Sequence, residues 1–593
     1  MANLRTERVN PSGKPIDIPQ YAHLDGKSIV HDFEAQARTC FALIDRTLNR
    51  VGGKLADLVT MTVSINDPRH GDRFVKIRHE MYPDGRFPCS ALITVSNFAH
   101  PGILIEIQGV AVVAVRRVRY APAAYAPRFV PGVITLKCGA MNVTETARLA
   151  FPIRPDGPLT FRQFLQLVRD NTLATYPPDA FDQDIIAGRL LWRRRFIINE
   201  PSGIRHVLLD NAANYRKSEL TRRLLEPGLG RGLLTSEGET WRRHRRIMAP
   251  AFDRRSIESY APVITAVARD LLAEWDALPD SSEVDVGAAM MRTTLHIISR
   301  AMFSANSDEI VDVVERGVGR YQMTVRPSLL DLLGFPAWFA NLFSRRRGTA
   351  KVFNEFDSAV DELINSRAHE PSPQPKDLLA RLVAARDAET GGGMTAKEVR
   401  DEVVTIFMAG HETTAQALTW TWYLLSLHPS VEARLDEELR TVLNGRTPQY
   451  GDIANLRYTR MVIEESMRLY PPAHTMAREP IAADDVLGQR IPAGAIVLIA
   501  PWLLHRKASL WPEPHRFNPD RFTTEPPRFS YIPFGAGQRI CIGAAFAMVE
   551  AILILATIAQ RYRLSLKPGH PIEPQGLITL RPRYGMPMTL QRR

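Results

Sequence analysis

The feature that most constrains this chain is one cysteine in a frame of glycines near the C-terminal end. Residues 531–543 read YIPFGAGQRICIG and lead into the apolar stretch AAFAMVEAILI. Cys541 is thus predicted to lie at a helix N-terminus, where unpaired N–H groups lower a thiol pKa and favour a metal-binding thiolate. Gly535 and Gly537 allow the backbone to approach a flat group, and Arg539 offers a guanidinium to a carboxylate. A buried, inert thiol is the usual state of a lone cysteine, but it predicts none of these neighbours.

Length and cysteine content set the broad class of the protein. The 593 residues suggest roughly two to four domains. The four cysteines are widely spaced, which argues against a disulfide framework or a zinc site and predicts a cytoplasmic protein. The N-terminus lacks the apolar core of a signal peptide. The longest apolar stretch, 541–560, contains Glu550, so we expect a buried helix and no transmembrane segment.

The formal net charge of the chain is +11. We expect a basic surface that docks an acidic partner protein. Nucleic-acid binding is not expected. Basic residues cluster at 241–248 and 343–351, but the sequence patterns around them are better explained by another role.

The pattern of apolar and polar residues changes along the chain. Residues 1–118 have a mixed α/β pattern with helices over 31–52 and 72–83 and strands over 58–67, 90–98 and 103–115. Residues 119–149 contain prolines and alanines and are predicted to be a linker. Residues 150–593 are predicted to be mainly helical, with short strands near 190–210 and 475–500.

The frame around Cys541 resembles the heme-ligand signature of the cytochrome P450 family, F-x-x-G-x-R-x-C-x-G. Phe534, Gly537, Arg539, Cys541 and Gly543 fill it without a gap. The resemblance implies a mainly α fold with small β-sheets over 150–593. It also implies heme b (iron protoporphyrin IX) as the cofactor, with Cys541 as the axial thiolate of its iron and Phe534, Gly535, Arg539 and Gly543 around it.

A second group of motifs agrees with this resemblance. EESMR supplies Glu465 and Arg468 at helical spacing, and PEPHRFNPDRF (512–522) resembles the family's P-x-R-F segment, with Arg516 as the third member. The resemblance implies that these three side chains form a buried ion network with a structural role.

FMAGHETTAQAL (407–418) resembles the family's oxygen-binding groove, A-G-x-[DE]-T-[TS]. The resemblance implies that Ala409 and Gly410 open the helix beside the cofactor, and that Glu412 and Thr413 deliver protons to bound dioxygen. His411 occupies the variable position of the motif, so no metal ligation by it is expected.

ETWRRHRRIMAPAF (239–252) resembles the family's W-x-x-x-R helix. The resemblance implies that Trp241 and Arg245 reach one heme propionate, with Arg478 and Arg539 as further propionate partners. A basic helix on the surface is the alternative, and both can hold if other arginines of the helix point outward.

The resemblance predicts a heme-thiolate monooxygenase that inserts one atom of O2 into an apolar or amphipathic organic substrate. Residues 472–476, PAHTM, are expected to line its pocket. No nucleotide-binding G-x-G-x-x-G follows a strand in the chain, so electrons are expected from a separate acidic ferredoxin or flavodoxin with its NAD(P)H reductase. Three alternatives remain: a peroxide-driven peroxygenase, an isomerase of the same fold, and a binding or scaffolding protein.

Residues 1–118 resemble the RidA/YjgF family of imine deaminases, a small α/β fold of the chorismate-mutase-like type. Positions that match that family are Gln36, Asp67, Tyr82, Pro88 and Glu106.

Two departures from the RidA/YjgF pattern favour a degenerate domain. The arginine of the family's P-A-R-[ST] segment is replaced by Ser90 in FPCSA (87–91), and residues 10–19 are expected to enter the fold at its second strand, with the first short or absent. We therefore expect a structural domain that can form a homo-oligomer. An active imine deaminase is the alternative.

Overall fold

The computed structural model divides the chain into two compact units, Met1–Thr146 and Ala147–Arg593, and each is described by itself. In the first unit the structure describes residues 3–9, 15–21, 33–49, 54–94 without 66, 105–115 and 130–139. In the second it describes residues 149–593 without 156, 158, 191–192 and 304–376, of which 358, 361 and 364 alone are included.

The first unit combines two helices with one mixed sheet. Its elements are β1 (Asn3–Val9), β2 (Pro15–Tyr21), α1 (Phe33–Asn49), β3 (Leu58–Ile65), α2 (Gly71–Met81), β4 (Cys89–Thr94), β5 (Ile105–Val115) and β6 (Val130–Gly139). The strand order is β2-β1-β6-β5-β3-β4. Strand β3 runs parallel to β4 and antiparallel to β5. The predicted helices and the three predicted strands are confirmed to within a few residues at their ends.

The core of this unit lies between α1 and the sheet. The buried residues of α1 recur every three or four positions and form one face: Phe33, Ala37, Cys40, Phe41, Ile44 and Leu48. They belong to the same cluster as alternate residues of β3 and β5, such as Val63 and Ile107. The periods of helix and strand thus explain the packing.

Two predictions for this unit are wrong. Strands β1 and β2 pair with each other, and β1 also pairs with β6, so two strands precede α1. Both strands are short and rich in polar residues or proline, so their sequences give a weak strand signal. Strand β6 pairs along its whole length with Glu106–Val115 of β5, so Val130–Gly139 is not a linker. Pro131 is the second residue of β6, near a strand end where a missing N–H is tolerated.

The second unit is mainly helical, as predicted. Its helices are α3 (Phe161–Asp170), α4 (Pro201–Arg205), α5 (Glu219–Leu229), α6 (Gly238–Met248), α7 (Arg254–Asp276), α8 (Val286–Phe303), α9 (Leu378–Ala384), α10 (Ala396–Leu427), α11 (Pro429–Leu443), α12 (Arg457–Leu469), α13 (Pro501–Leu504) and α14 (Ala544–Ala559).

Small sheets flank these helices. The strands are β7 (Ile185–Leu190), β8 (Arg193–Ile198), β9 (Tyr215–Lys217), β10 (Glu283–Asp285), β11 (Met476–Pro480), β12 (Asp484–Val486), β13 (Gln489–Ile491), β14 (Ile496–Ile499), β15 (Tyr562–Leu566), β16 (Pro574–Gly576), β17 (Leu580–Pro582) and β18 (Pro587–Arg592). The largest of these sheets has the order β7-β8-β14-β11-β9.

Helices α10 and α14 form the centre of this unit. Helix α10 begins at a capping box in which Thr395 and Glu398 bond each other's backbone. Most of its residues are buried, as are most of α14, which confirms that the apolar stretch after Cys541 is a buried helix. Among the described residues, none of the helices combines the length and apolar character that crossing a membrane requires.

A buried ion network connects α12 to the segment that precedes Cys541. Glu465 and Arg468 are fully buried and form two hydrogen bonds of 2.6 and 2.8 Å. Arg468 also donates to the carbonyls of His505 and Pro514, at 2.7 and 2.8 Å. Each charge therefore has several partners, which a buried ion pair requires.

The third member of this network is Arg521, and the prediction of Arg516 is wrong. Only the carbonyl of Arg516 contacts Arg468, at 3.1 Å, while its guanidinium forms a surface pair with Glu513. Arg521 Nε lies 3.4 Å from Glu465 Oε1. The segment 512–522 contains P-x-R-F twice, at Pro514–Phe517 and Pro519–Phe522, and the second copy supplies the less exposed arginine, which contacts Glu465.

We expect Arg521→Ala to destabilise the protein more than Arg516→Ala. The first variant removes a cation beside a fully buried carboxylate and should cost about 1–3 kcal/mol. The second removes an exposed pair and should stay within about 0.5 kcal/mol. Urea unfolding of both variants measures the difference, and equal midpoints would contradict the assignment.

Candidate active site around Cys541

Cys541 lies in the turn just before α14, as predicted. Its N–H donates to the carbonyl of Phe534 at 2.9 Å, and Gly543 is the N-cap of the helix. This bond closes the loop 535–540 and fixes the direction of the cysteine side chain. The side chain is exposed, so the sulfur is accessible to a ligand.

The expected low pKa of this thiol is not what the surroundings produce. The sulfur of Cys541 is accessible, yet protein atoms surround it closely enough that desolvation raises its pKa, while a hydrogen bond from Gly543 and the charge of Arg245 lower it. Desolvation, which disfavours the charged thiolate, is the largest of these three effects on the pKa. A metal ion at the sulfur reverses this balance, since a coordinated thiol is deprotonated.

The glycines of the frame serve different purposes. Gly537 has φ = 68°, and a Cβ there would lie 1.9 Å from the carbonyl oxygen of Leu208. Glycine is therefore required at this position because the backbone packs against Leu208. The expectation that it lets the backbone approach a flat group is corrected. Gly535 has φ = 73°, and its Cβ would stand 3.5 Å from Met476 Sδ. Its requirement is conformational.

Arg245 and Trp241 extend from α6 to the cysteine loop. Arg245 Nη1 donates to the carbonyl of Ile540 at 2.9 Å, and burial lowers its pKa while Cys541 opposes that shift. The guanidinium of Arg539 lies 4.3 Å from the ring centre of Trp241, a cation–π contact. The structure thus places both α6 residues beside the cysteine loop.

Arg478 and Arg539 lie in a cationic cluster that also contains Lys217. Arg539 donates to Glu237 and to the carbonyl of Ser236. Burial, and after it the charge of Arg539, lowers the pKa of Lys217 to about 7 and the pKa of Arg478 to about 10. Lys217 and Arg478 donate to backbone carbonyls. Among the described residues, Glu237 is the one carboxylate that hydrogen-bonds a side chain of these three cations, so positive charge is in excess.

A cavity of about 440 Å³ opens onto this cluster. Seven cationic side chains and three carboxylates line it, together with Trp241 and Leu208. The excess of positive charge favours an anionic ligand. Cys541 is not among the lining residues, but Arg539, two positions before it, is. Iron protoporphyrin fits these residues, because its two propionates match the excess of cations and its iron matches the accessible sulfur of Cys541.

The predicted oxygen-binding groove lies in the middle of α10. Ala409 is exposed in a helix that is otherwise mostly buried, and Gly410 and Thr413 are partly exposed. The Thr413 hydroxyl donates to the Ala409 carbonyl at 2.8 Å, which leaves its oxygen lone pairs available as acceptors. The side chain of Glu412, the residue before Thr413, is buried, and Thr579 Oγ1 donates to Glu412 Oε1 at 2.5 Å.

His411 is not aimed at the groove. It is 1% exposed, and its Nδ1 donates to the carbonyl of Phe407 at 2.5 Å. Burial lowers its pKa. Among the described residues no cluster of three or more histidine, cysteine or acidic side chains forms a separate metal site.

Four residues near this site were not found from the sequence: Lys217, Glu237, Arg521 and Thr579. The repeated P-x-R-F indicates Arg521. Thr579 contacts a residue 167 positions away, so no local spacing reveals it. Lys217 and Glu237 stand in segments of ordinary charged composition.

Glu550 connects α14 to α10 beside the groove. It is 1% exposed and forms a hydrogen bond with Thr414, the neighbour of Thr413. Its Oε2 has no hydrogen-bond partner among the described residues. Burial raises the pKa of the Glu550 carboxyl to about 8, against the opposing effect of Thr414. The carboxyl is therefore neutral at pH 7.

We expect the stability of the protein to depend on Glu550 in a defined pH range. The folded pKa of about 8 lies above the ordinary value of 4.5, so the stabilising contribution is complete below pH 4.5 and is lost as the pH rises through 8. Glu550→Gln stays neutral, and its thermal midpoint should exceed that of the wild type by about 2 °C or more at pH 8.5, with a smaller difference at pH 5.

The exposed Glu525→Gln is the matched control and should follow the wild type at both pH values. Parallel curves for Glu550→Gln and the wild type would show that the carboxyl is not buried in its neutral form.

Comparisons with known proteins agree with this site. Residues 163–586 match the family model described as Cytochrome P450, and residues 15–113 match the one described as Endoribonuclease L-PSP. The second match confirms the resemblance of the N-terminal residues to the RidA/YjgF group.

Several bacterial relatives align over most of their own length. Cyclooctatin synthase of Streptomyces melanosporofaciens is 37% identical over 67% of this chain and 86% of the relative. Cyclooctat-9-en-7-ol 5-monooxygenase of the same organism is 34% identical over 65% and 83%. Pentalenene oxygenase of Streptomyces avermitilis is 34% identical over 59% and 78%. With its thiol, cationic cluster and groove, the chain belongs to the cytochrome P450 family, and it is a monooxygenase.

Proposed function

We propose that this protein hydroxylates or otherwise monooxygenates an apolar organic substrate with O2, through a heme b whose iron is held by Cys541. The exposed sulfur of Cys541, two residues after Arg539 of a cluster with excess positive charge, carries this proposal. Heme, when bound, supplies the iron that activates dioxygen. The overall reaction consumes one O2, two electrons and two protons and yields one oxygenated product and one water.

The chain's own residues have distinct parts in this proposal. Lys217, Arg478 and Arg539 bind the propionates, with Trp241 stacked on Arg539. Arg245 stands beside the sulfur, where its charge favours the thiolate. The Thr413 hydroxyl accepts a hydrogen bond from a water molecule and helps to hold that water in place. Glu412 supplies the proton that reaches bound dioxygen through this water.

For the substrate we propose an unsaturated hydrocarbon or an alcohol derived from one. The names of two relatives refer to the oxygenation of pentalenene and of cyclooctat-9-en-7-ol. Within residues 472–476, the Met476 side chain is partly exposed near Gly535, which agrees with a partly apolar lining.

We propose that electrons come from an acidic ferredoxin or flavodoxin with its NAD(P)H reductase. The formal charge of +11 favours an acidic partner. Helix α6 carries Arg242, whose side chain is more than half exposed, on the helix that also holds Trp241 and Arg245. A docked acidic protein would therefore approach the helix that contacts the cysteine loop.

For the N-terminal unit we propose a structural role, with self-association, and no deaminase activity. Ser90 replaces the carboxylate-binding arginine of the RidA/YjgF pattern, and its hydroxyl accepts a hydrogen bond from Arg78 at 2.6 Å. Arg78 also lies 5.0 Å from the ring centre of Phe87. Imine hydrolysis by the full-length protein would overturn this assignment.

We expect Thr413→Ala to uncouple electron use from oxygenation. A screen for compounds that displace the iron-bound water identifies a substrate, and turnover is then measured with O2, NAD(P)H and a ferredoxin system. The product formed per NAD(P)H should fall at least about tenfold, with peroxide released instead, because proton delivery through the hydroxyl is lost.

Thr421→Ala is the matched control, since Thr421 is buried in the same helix and donates to the Ala417 carbonyl. It should keep the wild-type product yield. An unchanged yield in Thr413→Ala would exclude the proposed proton route, and equal turnover of that variant with peroxide alone would favour the peroxygenase.

A further inference from the structure

The acidic residue of the groove is held by a distant part of the chain. Glu412 and Thr579 are each 6% exposed, and the Thr579 hydroxyl donates to Glu412 Oε1 at 2.5 Å. A hydroxyl that donates to a carboxylate forms a charge-assisted bond, which is stronger than a neutral one and fixes the carboxylate's direction. In a buried setting the loss of such a bond is costly, so the rotamer of Glu412 depends on it.

Thr579 lies at the tip of a short hairpin formed by β16 and β17. Leu577 N–H donates to the Thr579 carbonyl at 3.1 Å, which closes the tip. The residue between them, Ile578, is 44% exposed. The turn thus presents an apolar side chain on one side and the hydroxyl that binds Glu412 on the other.

The hairpin is anchored firmly on the side of β16. Asn171 bonds both the Pro574 carbonyl and the Gly576 N–H, each at 2.9 Å. A Cβ at Gly576 would lie 2.7 Å from Leu173 and 3.1 Å from His474. Only glycine fits this close approach, so the strand has a single position against its neighbours.

A chain of side-chain hydrogen bonds anchors the tip itself. His474 Nε2 donates to the Leu577 carbonyl at 3.0 Å. Burial lowers the pKa of His474 to about 4, so the neutral ring accepts at Nδ1 from the Thr475 hydroxyl, at 3.0 Å. Thr475 in turn accepts from the Tyr176 hydroxyl at 2.8 Å. Each donor has one acceptor, which fixes the orientation of the whole chain.

The strand β17 is held equally well. Leu580 N–H donates to the Pro472 carbonyl, and Trp420 Nε1 of α10 donates to the Leu580 carbonyl, both at 3.0 Å. The Thr579 hydroxyl is therefore presented by a rigid element that is bonded to α10 at two places, Trp420 and Glu412. Rigid support of this kind is what a positioned carboxylate requires.

We propose that Thr579 is the positioning residue that sets the location of the Glu412 carboxylate beside the groove of Thr413. This inference rests on the proposed function, in which Glu412 supplies protons. It adds that proton supply by Glu412 depends on the tip of the hairpin, where the exposed Ile578 adjoins Thr579.

The test compares Thr579→Val, Thr579→Ser, Glu412→Gln and the double variant Thr579→Val/Glu412→Gln as holoenzymes. The readout is the C–O stretching frequency of the ferrous carbon monoxide complex, which reports the electric field beside the iron and needs no substrate. Thr557→Val is the control, because Thr557 is buried and donates only to the Leu553 carbonyl in α14. Thermal midpoints show that each variant is folded.

We expect Thr579→Val to shift the frequency in the same direction as Glu412→Gln, by at least about half as much, because both displace one carboxylate. The double variant should match Glu412→Gln alone, since the two residues act as a unit. Thr579→Ser should restore the wild-type frequency, and Thr557→Val should not alter it.

Four results would overturn the inference: a wild-type frequency in Thr579→Val, no shift in Glu412→Gln, additive shifts in the double variant, or failure of Thr579→Ser to restore the band. Failure of the proposed proton route has a different signature, namely an unchanged product yield in Thr413→Ala, and the two outcomes can be told apart.

Discussion

The site of the second unit is built around a cluster of partly buried positive charges. Lys217, Arg478 and Arg539 come together from β9, β11 and the cysteine loop, and Glu237 is the carboxylate that Arg539 bonds. Cations withdrawn from water without counter-charge are unfavourable, as the lowered pKa values of Lys217 and Arg478 show. A ligand with two carboxylates removes this penalty, so the fold and its cofactor are energetically linked.

Helices α10 and α14 bring the remaining parts of the site together. The bond between Thr414 and Glu550 joins the groove helix to the helix that follows Cys541. Glu465, Arg468 and Arg521 form a separate buried ion network between α12 and the segment that leads towards the cysteine loop. The hairpin of β16 and β17 then reaches Glu412 from the other side of α10. Each chemical group is thus held by an element that is itself fixed by buried polar bonds.

The sequence predicted those features that are local in the chain. The cysteine frame, the helices over α10 and α12 and the Glu465–Arg468 pair follow from spacing and from the resemblance to a family. The choice of Arg516 over Arg521 failed because both stand in P-x-R-F, and only burial separates them. Strand β1 was missed because it is short and mostly polar, and β6 was missed because Pro131, Gly132 and the prolines before it indicate a linker. The pKa of Cys541 was misjudged because burial outweighs the helix terminus, and the contact of Thr579 with Glu412 depends on tertiary structure alone.

The central claim is that Cys541 binds a heme iron through its sulfur. The most direct measurement is the carbon monoxide difference spectrum of the reduced, heme-loaded protein, for the wild type, Cys541→Ser and the control Cys40→Ala, whose cysteine is buried in the first unit. We predict the red-shifted Soret band of thiolate-ligated heme in the wild type and in Cys40→Ala, and its loss in Cys541→Ser. A red-shifted band that persists in Cys541→Ser, or is absent from the heme-loaded wild type, would contradict the account.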